Sequence, residues 1–170
     1  APGAGDIVII GNNHVISFET PVLGLPDTYQ NTPNSSPHSC ASLQIEAGSV
    51  LDIRFNPAST FSMVRSHSNG NGTIRVACDY DSGTTFVFPG GDFSDFNQNL
   101  GTTELYSTNP VAGTTYWLPN NITSYGNLII SPLGGSNIIF GNTNVTIYGN
   151  LITRGEDSRS WFCPTWNSNY

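Results

Sequence analysis

The chain has no lysine. Its five basic residues are all arginines, set against 12 acidic residues. Only 10% of the 170 residues are charged, where an ordinary soluble domain carries about 25%. With a formal net charge of −7, a nucleic-acid partner is not expected, because affinity for a phosphate backbone comes from clustered cations. Adhesion to an anionic membrane surface is disfavoured on the same ground. No apolar run approaches the roughly 18 residues needed to span a bilayer, so no membrane insertion is expected. Hydrophobic residues are also scarce, at 37%. Cysteine is limited to Cys40, Cys78 and Cys163, and an odd number leaves at least one thiol without an internal partner. Strong helix formers such as Lys and Glu are few, while Asn, Ser, Thr and β-branched residues abound with 18 Gly and 11 Pro. This composition predicts an extracellular, all-β, turn-rich domain. The opening Ala1-Pro2-Gly3 has neither Met nor a charged-then-apolar leader, which is expected of a mature secreted product or of a cut fragment.

Period-two alternation recurs along the sequence, and helical periodicity does not. Strands are predicted over 6–10 and 14–18, around the turn Gly11-Asn12-Asn13, and at Leu43–Glu46 and Leu51–Phe55. Further strands are predicted over 73–80, 84–88, 103–107 and 114–118, with Gly and Pro at the breaks. Residues 20–39, with Pro21, Pro26, Pro33 and Pro37, read as an irregular excursion from the fold. Ile74, Val76, Cys78 and Tyr80 alternate with Arg75, Ala77 and Asp79, which points Cys78 inward. Either it is a small core residue, or it forms a disulfide with Cys40.

An internal repeat carries the most information. Tyr125-Gly126-Asn127-Leu128-Ile129 recurs 23 residues later as Tyr148-Gly149-Asn150-Leu151-Ile152. Repeats of 20–50 residues suggest a solenoid, and this one is β throughout. Twenty-three residues at about 3.3 Å each suit a closed coil of three short faces, and coils stack at about 4.8 Å. Six or seven coils would make a rod roughly 30–35 Å long. Leu128 is expected over Leu151 and Asn127 over Asn150. The predicted fold is a right-handed parallel β-helix formed by residues 1–170 as one domain; a β-sandwich is the alternative.

The segments GDIVIIGNNHVISF (Gly5–Phe18) and CASLQIEAGSVLDI (Cys40–Ile53) resemble the first coils of right-handed β-helix proteins, in particular the glycine-marked start of the G8-type region. Gly91–Phe96, Gly101–Pro119 and Ser124–Gly155 resemble the repeat-rich surface proteins of Bacteroidota. Such proteins are often cargo of the type IX secretion system and include gliding-motility adhesins. The resemblance implies a non-catalytic structural or adhesive segment, extracellular and at the cell surface, belonging to the N-terminal part of a much longer chain. The implied partners are further coils of that chain, secretion or gliding machinery, and surface polysaccharide. The resemblance carries over no functional residue.

The rival expectation is a polysaccharide-binding or polysaccharide-degrading β-helix module. A lyase needs a strong base near metal-binding carboxylates. Arg54, Arg65 and Arg75 are the available bases, and they also read as strand residues balancing Asp52 and Asp79. A glycosidase needs two carboxylates across the scissile bond. Asp79 with Asp81, and Asp92 with Asp95, are the oxygen-rich clusters a Ca²⁺ ion would use, although the spacing fails the EF-hand pattern; turn formation is the other reading. His14, His38 and His67 are isolated, and no HExxH, CxxC, GxSxG, P-loop or GxGxxG motif is present. Tyr106, Tyr116 and Trp117 are candidates for an aromatic platform against sugar rings, or else alternate members fill the core. Asn34, Asn71, Asn121 and Asn144 lie in N-x-S/T sequons. No catalytic, cofactor-binding or metal-ligating residue is assigned, and no cofactor is expected.

Overall fold

Alternating residues place every second side chain inward, and Gly and Asn supply the sharp corners that bring the chain back beside itself. A computed structural model describes residues 3–17, 38–54, 59–78, 87–107, 115–132, 137–140, 144–154 and 161–162. Within them the chain is a parallel β-solenoid. The strands in order are β1 (Ile7–Ile10), β2 (Val15–Ser17), β3 (Ser39–Ile45), β4 (Val50–Arg54), β5 (Thr60–Arg65), β6 (Thr73–Ala77) and β7 (Gly90–Asp92). A short helix α1 (Ser94–Gln98) precedes β8 (Thr102–Tyr106), β9 (Thr115–Trp117), β10 (Ser124–Tyr125) and β11 (Asn127–Ser131). The series ends with β12 (Asn137–Ile139), β13 (Thr146–Ile147), β14 (Leu151–Thr153) and β15 (Trp161–Phe162).

The longest sheet runs β14-β11-β8-β6-β4-β2. A second runs β1-β3-β5-β7, a two-stranded piece pairs β10 with β13, and a third sheet runs β15-β12-β9. Every strand pair is parallel, which excludes the sandwich alternative. Gly11-Asn12-Asn13 is a corner between two sheets rather than a hairpin, with Asn12 and Asn13 both left-handed at φ 59°. Asn tolerates that conformation because its short side chain bonds locally.

Coil length is not uniform. In the long sheet Val15 pairs with Val50, Val50 with Thr73, Thr73 with Thr102, Thr102 with Asn127 and Leu128 with Leu151. These steps span 35, 23, 29, 25 and 23 residues. The expected period of 23 holds at two steps. The first coil is lengthened by the 20–39 segment, of which 20–37 lies outside the described residues. The fourth takes in α1, whose five residues sequence periodicity does not reveal.

The inward column of the long sheet reads Ile16, Leu51, Ile74, Thr103, Leu128, Leu151. Its interior members are buried, while Ile16 and Leu151 at the two ends are each 42% exposed. A second inward set, with Ile53, Val76, Leu105 and Ile130, is also buried. Each such aliphatic side chain contributes about 1.5–3 kcal/mol when fully removed from water. Phe88 stacks edge-on against Phe93 and Tyr125 to fill the wider end of the core. The Tyr125 hydroxyl is buried without a partner, and burial pushes its ionisation well above the ordinary range.

One corner is a glycine column: Gly72, Gly101, Gly126 and Gly149 precede the strand positions of Thr73, Thr102, Asn127 and Asn150. The reason is close approach. A Cβ at Gly126 would collide with the backbone of Gly101, and one at Gly101 with the Phe96 ring. Beside this column the Asn127 side-chain amide donates to the Leu100 carbonyl at 2.7 Å, and its oxygen accepts from the Asn150 backbone N–H at 3.0 Å. The expected stacking of Asn127 and Asn150 is therefore a hydrogen-bonded ladder.

Candidate functional site

The outward face of the long sheet gathers most of the chemistry. Asp52, Arg75 and Glu104 occupy one column on β4, β6 and β8, each paired with the next in register. Period-two alternation puts all three on the face opposite Leu51, Ile74 and Thr103. Arg75 lies between the acids. Its Nε donates to Glu104 Oε2 at 2.8 Å, and its Nη1 reaches Asp52 Oδ2 at 3.3 Å. Tyr106, two residues along β8, folds over this column. Its hydroxyl donates to Asp52 Oδ1 at 2.7 Å, and its ring centroid is 4.3 Å from Arg75 Cζ. Ala77 beneath it makes a small apolar cluster separate from the main core.

Local backbone geometry helps to build this cluster. The ladder between β4 and β6 shifts register between Asp52 and Arg54, and Arg54 is left-handed at φ 50°. The bulge lets the Arg54 N–H donate to Asp52 Oδ1 at 3.1 Å. Burial pushes the Asp52 carboxyl above its ordinary value, with the Tyr106 hydrogen bond, Arg75 and Arg54 pulling the other way. Burial also raises the Tyr106 phenol far above its usual range, reinforced by the neighbouring Asp52 charge. Asp52, Arg75, Glu104 and Tyr106 thus meet one another's main hydrogen-bonding needs. The cluster ties three consecutive coils together.

The sequence candidates distribute as follows. Tyr116 and Leu118 are core residues, Tyr106 belongs to the charged cluster, and Trp117 is 41% exposed on the third sheet. They do not form one aromatic platform. Asp95 accepts from the Ser66 N–H at 2.7 Å, the Ser66 hydroxyl at 3.0 Å and the Asn99 amide at 3.0 Å. Asp92 accepts from the Ser94 N–H at 2.9 Å, and Ser94's hydroxyl and amide hold its carboxyl below the ordinary value. Both therefore serve as turn and helix-flanking residues. Among the described residues no three His, Cys, Asp or Glu side chains gather as metal ligands. Asp79, Asp81 and Cys163 lie outside the described residues.

Cys40 and Cys78 are buried and free, so the core reading of Cys78 holds. Its thiol donates to the Tyr106 carbonyl at 2.9 Å. Burial raises the Cys40 thiol, assisted by Asp6. His67 Nδ1 accepts from the Asn69 N–H at 3.2 Å, leaving Nε2 to approach Glu46 Oε1 at 3.4 Å. His14 is exposed and His38 half-buried; neither joins His67. Asn71 and Asn121 use their amides inside the fold, on the Asn99 carbonyl and on Phe88. Glu104 was missed by the sequence reading. Its signal was available in the alternation of Thr103, Glu104 and Leu105, but its partner could be named only once the 29-residue coil was known. Among the described residues no helix is long and apolar enough to cross a membrane.

No family model, curated protein or solved structure matches the chain.

Proposed function

We infer that the chain is a non-catalytic structural segment: a stiff β-solenoid spacer of a secreted surface protein, with any adhesive role carried by exposed side chains along its faces. The observation that supports this reading is the closed Asp52–Arg75–Glu104–Tyr106 cluster. Its charged groups grip neighbouring coils instead of presenting unpaired acids and bases to a ligand. The remaining outward columns are largely uncharged and polar. The low charge, the turn-rich composition and the resemblance to Bacteroidota surface repeats support an extracellular setting, gliding adhesins and type IX cargo included. Such a segment resists proteases because its backbone hydrogen bonds are engaged in continuous ladders.

One observation favours a second reading, a polysaccharide-active module. Asp52 and Glu104 sit two strands apart, about 9.6 Å along the sheet, close to the separation of an inverting glycosidase pair. The intervening Arg75 argues against it by neutralising both.

The test combines two assays on the purified chain. Limited proteolysis should leave the 7–154 region intact under conditions that digest an unfolded control. Incubation with a panel of acidic and neutral polysaccharides should release no new reducing ends and no unsaturated uronate. Depolymerisation that disappears in Glu104→Gln would overturn the structural reading in favour of the enzymatic one. Immunogold labelling of source cells checks the location: interior labelling alone refutes the surface assignment.

A further inference from the structure

The two ends of the solenoid are complementary to each other. At one end β1 and β2 are the outermost strands of their sheets; at the other, β13 and β14 hold that position. Each leaves one row of backbone donors and acceptors without a ladder partner in its sheet, which is the usual template for strand addition. The terminal coils are also apolar where inner coils are not. Ile7 is 72% exposed and Ile9 58%, while the next coil places Ser42 and Gln44 beside them. Val15 is 67% exposed. A strand apolar on both faces reads as one built to be covered.

What fits against this end is visible at the opposite one. Ile16 and Leu151 are the first and last members of a single inward column, and each is 42% exposed because the column stops there. The strands β13 and β14 follow each other along the chain as β1 and β2 do, so the same two faces are offered in the same order. Continuing the parallel register would set Val15 beside Asn150, Ile16 beside Leu151 and Ser17 beside Ile152. That contact repeats the coil-on-coil interface that β2 already makes with β4 and β14 with β11. A second copy of this chain is the partner whose strand spacing, strand direction and inward column match without adjustment.

We propose that copies of this chain associate head to tail, β1 and β2 of one stacking on β13 and β14 of the next, so that the ladders run on through a filament. Such a contact is heterologous and does not close, so the assembly lengthens with concentration. The proposal rests on the structural reading above, yet the two fail separately: a strictly monomeric chain that resists proteases and spares polysaccharides would remove the filament and leave the spacer.

The test uses the 170-residue chain and two variants, Ile16→Lys and Leu151→Lys, in sedimentation velocity. The parent should show an average mass that rises several-fold with concentration. Each variant alone should be monomeric, with the parent's far-ultraviolet circular dichroism. An equimolar mixture should form dimers and nothing larger, since one intact pair of ends remains. A second variant keeps the proposal testable should the lysines disturb folding. Ser17 and Ile152 are exposed and lie at opposite edges of the six-stranded sheet, about 24 Å apart within one copy. In Ser17→Cys/Ile152→Cys, oxidation should yield a ladder of covalent multimers, because across the contact these residues are direct neighbours. A parent that stays monomeric at every concentration would overturn the proposal. So would a dimer that persists in Leu151→Lys, which would indicate two like ends meeting, or a double-cysteine variant that remains single copies.

Discussion

Arg75 offers the sharpest test of the energetics. Its guanidinium is bonded to Glu104 and Asp52 and lies over the Tyr106 ring. Removing one partner of a fully buried pair costs about 3–5 kcal/mol, whereas an exposed pair is worth about 0–1 kcal/mol. The Arg75 side chain is 32% exposed and its acidic partners are nearly buried, so the cost lies between these limits. The cation–π contact adds about 0.5–1 kcal/mol. Arg75→Ala should therefore lose about 2–3 kcal/mol, or about 4–12 °C in Tm for a chain of this size. The assay is urea unfolding followed by circular dichroism and by tryptophan fluorescence, whose coincidence checks for a single transition. In the variant, Asp52 and Glu104 face each other uncompensated, which raises both carboxyls. A raised carboxyl contributes stability below its unfolded value and loses it as pH rises through its folded value. The defect should accordingly shrink on acidification. Neutralising the whole cluster as Asp52→Asn, Arg75→Met and Glu104→Gln together should recover most of the loss at neutral pH. A single variant within 0.5 kcal/mol of the parent, or a triple variant as unstable as Arg75→Ala, would refute the view that a desolvated charge network joins these coils.

Three further outcomes are expected. Gly126→Ala should cost about 3 kcal/mol, read from the urea midpoint, because its Cβ has no room against the Gly101 backbone; a neutral result would show that this corner relaxes freely. Leu100, exposed and left-handed at φ 63° after α1, should gain about 1 kcal/mol on replacement by Gly, also from the urea midpoint, and a loss would mean its side chain is held by something else. Asp52 has a folded carboxyl raised chiefly by burial, so its ionisation opposes folding as pH rises. The stability difference between the parent and Asp52→Asn should therefore move in the parent's favour as pH falls through the folded value, and a pH series of urea titrations that moves the other way would contradict the assignment.

Much of the architecture was legible because parallel coils repeat residue types at fixed offsets. The Tyr-Gly-Asn-Leu-Ile repeat located the register of Leu128 on Leu151 without a structure. It did so because that coil carries no insertion. Coils of 29 and 35 residues hide the same relation elsewhere, so the column joining Asp52 to Arg75 and Glu104 did not show. Strand β5 was missed for a different reason. Its buried residues are Phe61 and Val64, an odd spacing produced by the register shift against β7 between Phe61 and Met63. Helix α1 is one turn and a half, too short for any periodicity, and Phe93 and Phe96 are its only apolar markers. Among the aromatic candidates, alternation correctly placed Tyr116 inward. It also placed Tyr106 outward, and nothing in the local sequence could say that Arg75 and Asp52 wait there to bury it.

The scarcity of charge follows from the stacking itself. In a parallel solenoid each outward residue has a neighbour about 4.8 Å away one coil above and another below. Two like charges at that spacing repel by about 0.9 kcal/mol in water and by about 3.5 kcal/mol at an effective dielectric of 20. A column therefore tolerates charge only when signs alternate, as in Asp52, Arg75 and Glu104, and otherwise uses Asn, Thr and Ser. Thr73 and Thr102 are direct neighbours in the adjoining half-buried column and test this rule. In a double-mutant cycle, Thr73→Glu with Thr102→Glu should show an unfavourable coupling of about 1–3 kcal/mol, and Thr73→Arg with Thr102→Glu a favourable one. The measurement is urea unfolding of both single and both double variants at low salt, repeated at high salt, where both couplings should weaken. Couplings of the same sign in the two pairs would show that side-chain volume, not charge, governs the column, and the low charge of this chain would then need another cause.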